Sequence, residues 1–495
     1  MNMSKGRDIL KILIKIAALT VISFMVLTTA AAADTPYYSY NSTEWSTAVP
    51  APDTYTYSKV ISGEGDQATG KIIAPTDFCF DGSGVLYVLE KRGRVLRYDA
   101  SLNFLGFFTP KSGREEYTFK NPGGIFVAED QSVYIADTDD AKVLQFSPAG
   151  ELLQTFLKPE DEAYTAQTFQ PSKVLVSKDG MVYVLCNGVY QGMVVYDAAG
   201  NFDSFFGSPK IQVTAKILMD KIWKRILSQT ARDKIAQYVP VSFSNFDIDR
   251  KGFIYTCSAY TSNNVEQIRR LNHLGENIFP YTGNFGEEDV VYYQGKSIVT
   301  SFVDISVSSN EIVWALDSTR CRVYGYDQSG NALFNFGTEG EMNGASVRPI
   351  AVENYGDAVY VLDTTQGKIT QYKPTEYGEL ILQAATLYAA GEYGEAMTYW
   401  QRLLKLNTNL EMAYNGIGES LMKTGNYEEA VTYFRLGYDR QRESKAFSQY
   451  RAQLFKENFG FLFAGLLILV ALLFCLTNRK LMKRLIDQIR RRKRG

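Results

Sequence analysis

The sequence predicts a mainly β protein, a six-bladed β-propeller, followed by paired α-helices and one transmembrane helix. Three observations predict this architecture. A strand–turn–strand pattern recurs six times between residues 70 and 374, the apolar period changes from two to about 3.6 after Pro374, and an apolar run extends from Phe459 to Thr477. Short alternating strands separated by Gly, Asp and Asn turns are typical of propeller blades, which must stack in a ring to bury both faces.

The first repeat shows the pattern most clearly. A strand starts at Pro75, a turn follows at residues 81–84, a second strand occupies 85–88, and a third ends at Tyr98. The abundant Tyr and Phe, 33 and 29 residues, suit strands because aromatic side chains pack well on a pleated surface. The six central strands are predicted at residues 85–88, 133–137, 181–184, 253–255, 313–317 and 359–363.

The repeats resemble NHL repeats, whose blades carry a Tyr-Val-x-Asp core followed by a basic, an aliphatic and a closing aromatic residue. In the second repeat Tyr134 and Asp137 match the core, and Lys142, Val143 and Phe146 match the basic, aliphatic and aromatic positions after it. The resemblance covers roughly 300 residues and implies a six-bladed propeller across residues 70–374. The preceding segment, residues 34–69, contains a strand-like stretch at 55–61 that we expect to complete the last blade.

Two segments interrupt the repeats. Residues 208–239 carry apolar side chains at helical spacing, which predicts a helix that either caps one mouth of the propeller or packs on blade edges. Residues 283–296 contain Glu287, Glu288 and Asp289, and predict a long solvated loop.

After the propeller, two similar segments begin at Gly391 and Gly425, 34 residues apart. Trp400 follows the first at the offset at which Phe434 follows the second. These segments resemble TPR units, which implies two helical hairpins across residues 378–442 and a further helix at 443–458. The resemblance implies a groove that faces a partner, unless the rest of the protein fills it. The predicted groove residues are Asn415, Glu419, Met422 and Lys423.

Both ends of the chain predict a membrane protein. Residues 1–33 combine four basic residues, an apolar stretch and Ala31, Ala32 and Ala33, as a secretory signal peptide does. At about 1.5 Å per residue, the run at 459–477 is long enough to span a bilayer. Phe459, Leu467 and Thr477 mark the start, middle and end of this anchor.

The basic tail, residues 478–495, predicts the orientation. Basic residues beside a membrane helix favour the cytoplasmic side, so we expect a cytoplasmic C-terminus and an extracytoplasmic body at the cell membrane. The topology determinants are Arg479, Lys480, Lys483 and Arg484. Without the signal peptide and tail, 39 basic and 52 acidic residues remain, a net charge of −13. An acidic body argues against nucleic acid as a partner.

No catalytic set stands out in the sequence. The single histidine, His273, excludes a site with several imidazoles, and the widely spaced cysteines predict buried thiols. Asp137, Asp317 and Asp363 recur after central strands, which predicts that they accept backbone N–H groups in turns. We therefore predict a binding or scaffold protein without a cofactor. The resemblance to bacterial membrane-anchored NHL and TPR proteins implies that its partner is a membrane complex, such as a carbohydrate ABC transporter.

The alternative is a calcium-dependent lactonase or esterase at the central channel. Calcium prefers oxygen ligands, and several carboxylates and amides lie near strand ends. Hydrogen bonding at turns or strand edges is the other role that fits these residues. They are Asp77, Asn187, Asn245, Asp247 and Asp304.

Overall fold

The computed structural model describes residues 35–42, 48–62, 71–207, 242–259, 266–280, 285–287, 291–293 and 296–492. The predicted signal peptide and the predicted helix at 208–239 lie outside these residues. The chain divides into two compact units. One contains residues up to Ser39 and from Asp53 to Thr375, and the other contains Tyr40–Pro52 and Glu376–Gly495.

The first unit is a six-bladed β-propeller; its described part has one antiparallel sheet for each blade and two short two-stranded hairpins. Blade 1 contains Pro75–Phe80, Leu86–Glu90, Val95–Tyr98 and Phe104–Phe108; blade 2 contains Pro122–Val127, Val133–Asp137, Lys142–Phe146 and Leu152–Phe156; blade 3 contains Pro171–Val176, Val182–Cys186, Met193–Tyr196 and Phe202–Phe206. The described strands of blade 4 are Asn245–Ile248, Ile254–Cys257 and Ile268–Leu271. Blade 5 contains Phe302–Val307, Val313–Asp317, Arg322–Tyr326 and Ala332–Phe336; blade 6 contains Pro349–Tyr355, Ala358–Asp363, Lys368–Pro374 and Tyr55–Ile61.

The ring closes through strands that are far apart in sequence. The first strand of each blade contacts that of the next blade, and blade 6 contacts blade 1. Tyr55–Ile61 pairs antiparallel with Lys368–Pro374 and so forms the outer strand of blade 6. The ring of Tyr55 stacks on Phe336 of blade 5 at 4.6 Å and meets Trp314 edge-on at 5.4 Å. The N-terminal strand therefore fastens blade 6 to its neighbour.

The hydrophobic core lies between successive blades. One cluster joins Tyr87 and Val95 of blade 1 to Ile135 and Phe146 of blade 2, and similar clusters fill other blade interfaces. Tyrosine and phenylalanine supply much of this packing, which accounts for their abundance in the sequence. As predicted, the cysteines of the propeller are buried free thiols: Cys79, Cys186, Cys257 and Cys321.

The recurring aspartates hold the loops that lead into first strands, as the sequence predicts. Asp137 accepts hydrogen bonds from the backbone N–H groups of Lys120 and Asn121, both at 2.8 Å. Asp363 accepts from Val347 and Arg348 in the same way. Asp317 accepts from Ser301 and Thr319. These carboxylates therefore have a structural role.

The prediction of a loop at residues 283–296 holds for residues 285–287, which lie outside strands and helices, and is wrong for residues 291–293, which form a strand. Val291–Tyr293 pairs antiparallel with Lys296–Ile298, because valine and tyrosine favour extended backbone. Glu287 is also engaged: its carboxylate lies 2.5 Å from both Arg320 and Arg322. Two further short hairpins are described, Lys111–Ser112 with Glu115–Glu116 and, in the second unit, Tyr40–Ser42 with Ala48–Pro50.

The described part of the second unit contains six helices. They are α1 (Glu376–Ala390), α2 (Tyr393–Leu406), α3 (Glu411–Lys423), α4 (Tyr427–Leu436), α5 (Arg440–Thr477) and α6 (Arg479–Arg492). The first four form two hairpins that pack through small residues of α3. A Cβ built on Gly416 would lie 2.6 Å from the Trp400 ring, and one on Gly418 would lie 2.9 Å from the Phe434 ring. The glycines therefore permit the close approach of the aromatic side chains.

The C-terminal helices differ from their predicted boundaries. The separate segments predicted at 443–458 and 459–477 are one continuous helix, α5, which contains no proline. Within the described residues, α5 is the one helix long and apolar enough to cross a membrane. The tail was predicted only as a basic segment, whereas residues 479–492 form α6.

The close packing of α3 predicts opposite responses to two glycine substitutions. Gly418→Ala places a methyl group against the Phe434 ring and should destabilise the helical unit by about 1–3 kcal/mol. The matched control is Gly394→Ala in α2, where a Cβ meets nothing within 4 Å. Because alanine favours helix, this control should be neutral or slightly stabilising. Chemical denaturation, monitored by the circular dichroism signal of the helices, measures the free energy of unfolding of both variants. Equal changes in this free energy would contradict the packing described for α3.

Candidate functional site

Equivalent positions of the six first strands form two rings around the propeller axis. In five blades the strand register shifts just before the first of these positions, as between Pro75 and Asp77. The first ring consists of Asp77, Gly124, Lys173, Asn245, Asp304 and Ala351. Two residues further on, on the same face of each strand, the second ring consists of Cys79, Phe126, Leu175, Asp247, Ser306 and Glu353.

An ion pair crosses the first ring. Lys173 Nζ of blade 3 donates to Asp77 Oδ1 of blade 1 at 2.5 Å, and these side chains are only 14% and 7% exposed. Gly124 of the intervening blade makes room for the lysine. A Cβ at Gly124 would lie 2.6 Å from the Ser172 carbonyl oxygen and 2.9 Å from Lys173 Cα. The pair therefore links two blades that are not neighbours in the ring.

Three aspartates make the same contact with the following blade. Asp77 Oδ2 accepts the backbone N–H of Ile125 at 3.0 Å. Asp304 Oδ2 accepts from Val352 at 2.6 Å and Asp247 Oδ2 from Val307 at 2.7 Å. The first strand is the inner edge of its sheet, and its unpaired N–H groups need acceptors when buried. These carboxylates supply them.

Burial perturbs the titration of the ring residues. It raises the pKa of Asp304 to about 7, against the opposing effect of Lys173. It also raises the pKa of Asp247 to about 7, although the N–H of Val307 favours the ionised form. Burial raises the pKa of Asp77 despite its ion pair. Desolvation would lower the pKa of Lys173, but the nearby Asp77 and Asp304 outweigh it and raise that pKa.

The second ring is polar over blades 4 to 6 and apolar over blades 1 to 3, apart from the Cys79 thiol. Ser306 Oγ donates to Glu353 Oε2 at 3.1 Å and accepts from Asn354 Nδ2 at 2.7 Å. Burial raises the pKa of Glu353 well above its usual value, and repulsion from Asp247 and Asp304 adds to this effect. Asp247 and Glu353 are therefore half-buried residues of the same ring, and the pKa of each carboxyl group is raised.

The thiols of Cys79 and Cys257 are buried. Burial raises the pKa of the Cys79 and Cys257 thiols, so neither is activated as a thiolate. His273 is exposed in a turn. Among the described residues, no three His, Cys, Asp or Glu side chains converge as a metal site requires. Asp77, Asp247 and Asp304 instead accept backbone N–H groups of the following blade.

Of the residues that the sequence suggests as calcium ligands, all but Asn187 lie in the two rings. Asn245 Nδ2 donates to Asp304 Oδ1, so both lie beside the Asp77–Lys173 pair in the first ring, and Asp247 lies in the second. Asn187 is separate: it is exposed after the second strand of blade 3, and its N–H donates to the Gln170 carbonyl. Sequence reasoning missed Lys173, Ser306, Glu353 and Asn354. Glu353 could have been found from the sequence, because a charged residue inside a predicted first strand is unusual.

The four predicted groove residues lie on α3 with different surroundings. Asn415 Nδ2 donates to the Gly437 carbonyl at the end of α4, at 3.1 Å. Glu419 Oε1 lies 2.8 Å from Arg442 Nε of α5. Met422 is half-buried, whereas Lys423 is exposed with its ammonium 5.9 Å from the Tyr393 ring centre. Asn415 and Glu419 therefore contribute to helix packing, and Met422 and Lys423 lie toward the exposed end of the face.

Comparison with known proteins gives likeness of fold. No family model and no curated protein matches the sequence. The chain is similar to virginiamycin B lyase from Staphylococcus aureus, with 9% identity over 64% of this chain and 99% of that chain, and a TM-score of 0.37. It is similar to the Cps50 (Swd1) β-propeller domain of Myceliophteria thermophila, with 10% identity over 65% and 100% of the two chains, and a TM-score of 0.37.

A third similar structure is a protein of unknown function from Bacteroides thetaiotaomicron. It shares 9% identity over 66% of this chain and 80% of its own, with a TM-score of 0.41. Identities this low indicate likeness of fold alone. Nothing about the activity of this chain follows from them.

The buried ion pair predicts a large effect of losing the lysine. Lys173→Met leaves the Asp77 charge buried without its partner and should cost about 3–5 kcal/mol of stability. The matched control is Lys178→Met. Lys178 pairs with Glu129 of blade 2 at 3.3 Å, but both side chains are more than half exposed, so the loss should be below about 1 kcal/mol. Denaturant unfolding measures the free energy of unfolding of both variants. A small loss in Lys173→Met would show that the Lys173–Asp77 pair contributes little to holding blades 1 and 3 together.

The raised carboxyl pKa values predict a dependence on pH. For Asp247 the pKa is about 7 in the folded protein against 3.8 for an unperturbed group, so the folded state binds more protons between these values. Its contribution to stability is therefore fully present below the lower value and is lost as the pH rises toward 7.

Asp247→Asn removes this penalty and keeps an oxygen acceptor for Val307. The difference in Tm between the variant and the wild type should therefore grow by about 2–4 °C as the pH rises from 5 to 8. Asp179→Asn, in an exposed turn of blade 3, is the control and should show no such gain. Scanning calorimetry measures the Tm of each protein across this pH range. If Tm changes with pH in the same way for Asp247→Asn and the wild type, the raised pKa of Asp247 is refuted.

Proposed function

We propose that the protein is a membrane-anchored extracytoplasmic scaffold that binds another membrane protein complex. The observation that carries the proposal is helix α5. Its first turns pack on the helical hairpins, with Ala446 fully buried, and the same helix continues without a break through the apolar run to Thr477. A folded binding module is thereby joined directly to a segment that suits a bilayer.

The apolar part of α5 is exposed along its length. Phe459, Phe461, Leu467 and Leu476 are each more than half exposed. A continuous apolar surface of this kind is unfavourable in water and favourable in lipid. We propose that residues 459–477 form a single span, with the signal peptide directing export and the basic tail remaining in the cytoplasm. The calcium-dependent hydrolase is not retained, since the axial carboxylates are engaged between blades.

The two repeat units supply surfaces for contact. We propose that the propeller is of the NHL type and that the hairpins α1–α4 are TPR units. Both kinds of repeat commonly present rigid surfaces to protein partners. Met422 and Lys423, at the accessible end of the α3 face, are the residues that we expect to contact the partner. A carbohydrate ABC transporter is the partner class that the sequence resemblance favours.

Site-specific photocrosslinking in intact membranes tests this proposal. A photoreactive residue at Lys423 should crosslink to an integral membrane transport subunit, identified by mass spectrometry. The same residue at Glu428, which is exposed at the start of α4, is the control and should not. Crosslinks from Lys423 that remain within the same chain would contradict the proposal, because the groove would then be filled internally.

A further inference from the structure

The C-terminal helix α6 has an apolar stripe that is largely exposed in the described structure. Met482, Ile486 and Ile489 recur at spacings of four and three residues, which places them on one side of an α-helix. Ile486 is 45% exposed and Ile489 is 57% exposed. A 14-residue helix would not gain stability from such a stripe in water alone.

Basic residues occupy other positions of the same helix. Arg479, Lys480, Lys483 and Arg484 are exposed, and the sequence continues with further arginines at 490–492. Asp487 is the one acidic residue between 478 and 495. A helix with an apolar side and a strongly basic side is typical of segments that lie in the interface of a membrane.

The junction between α5 and α6 fixes where this helix begins. Asn478 alone separates them, and its N–H donates to the Phe474 carbonyl at 3.0 Å as α5 ends. The Asn478 carbonyl accepts from Met482 N–H at 3.0 Å, so α6 starts at once. If residues 459–477 span the hydrocarbon core, α6 begins at the level of the lipid headgroups.

We propose that α6 binds anionic phospholipid on the surface where the anchor emerges. The helix lies in the headgroup region with Met482, Ile486 and Ile489 toward the acyl chains. Its Lys and Arg side chains contact the anionic headgroups. The apolar stripe selects a lipid surface over a free phosphate ion, which would not cover it. The inference rests on the proposed membrane anchor.

Fluorescence quenching in lipid nanodiscs tests the inference with the full-length protein. An NBD label is attached at Ile489→Cys or at Lys483→Cys, in a Cys475→Ala background because Cys475 lies in the apolar run. Nanodiscs contain phosphatidylcholine alone or mixed with phosphatidylglycerol, and a spin-labelled lipid with a shallow nitroxide serves as quencher. With phosphatidylglycerol present, quenching at position 489 should exceed that at 483 about threefold. It should fall to the phosphatidylcholine level in Lys480→Gln/Lys483→Gln/Arg484→Gln.

The matched charge control is Lys445→Gln/Arg451→Gln/Lys456→Gln, which removes three exposed cations from α5 before the apolar run. This variant should leave the quenching at 489 unchanged. A label at Leu467→Cys with a deep spin-labelled lipid reports the anchor separately. Deep quenching at 467 without preferential quenching at 489 overturns the lipid site while the anchor stands. Absence of quenching at 467 overturns the anchor and the lipid site together.

Discussion

The inner edge of each blade is the constraint on which the propeller depends. A first strand pairs on one side only, so half of its backbone groups face the axis, where six strands converge. The side chains of Asp77, Asp247 and Asp304 accept N–H groups of the following blade. The same carboxylates are costly to bury, and burial raises the pKa of each. Satisfying the strand edges therefore places ionisable groups at the centre of the protein.

This constraint also bears on function. Buried carboxylates at the axis of a propeller suggest a metal or catalytic site, yet here they are occupied by backbone amides, by Lys173 and by Ser306. These contacts give the axial carboxylates a part in holding the ring. The scaffold proposal rests on helix α5, which joins the helical hairpins to the apolar run.

The sequence predicted the repeated features and missed those specific to one position. Six similar strand patterns revealed the blades, and the recurrence of Asp137, Asp317 and Asp363 revealed their turn role. Lys173 was missed because its partner Asp77 is 96 residues away, and only the ring brings them together. Glu353 and Ser306 meet for the same reason. In α6, the density of basic residues drew attention to charge, and the apolar spacing that accompanies it was overlooked.

Hydrogen exchange of the first strands tests the central claim most directly. The Val352 amide of blade 6 donates to Asp304 of blade 5. In Asp304→Ala, mass spectrometry should therefore detect faster exchange in the peptide that covers Pro349–Tyr355, whereas the peptide that covers Pro122–Val127 in blade 2 should stay protected. Unchanged protection of Pro349–Tyr355 in this variant would contradict the claim that axial carboxylates hold the blades together.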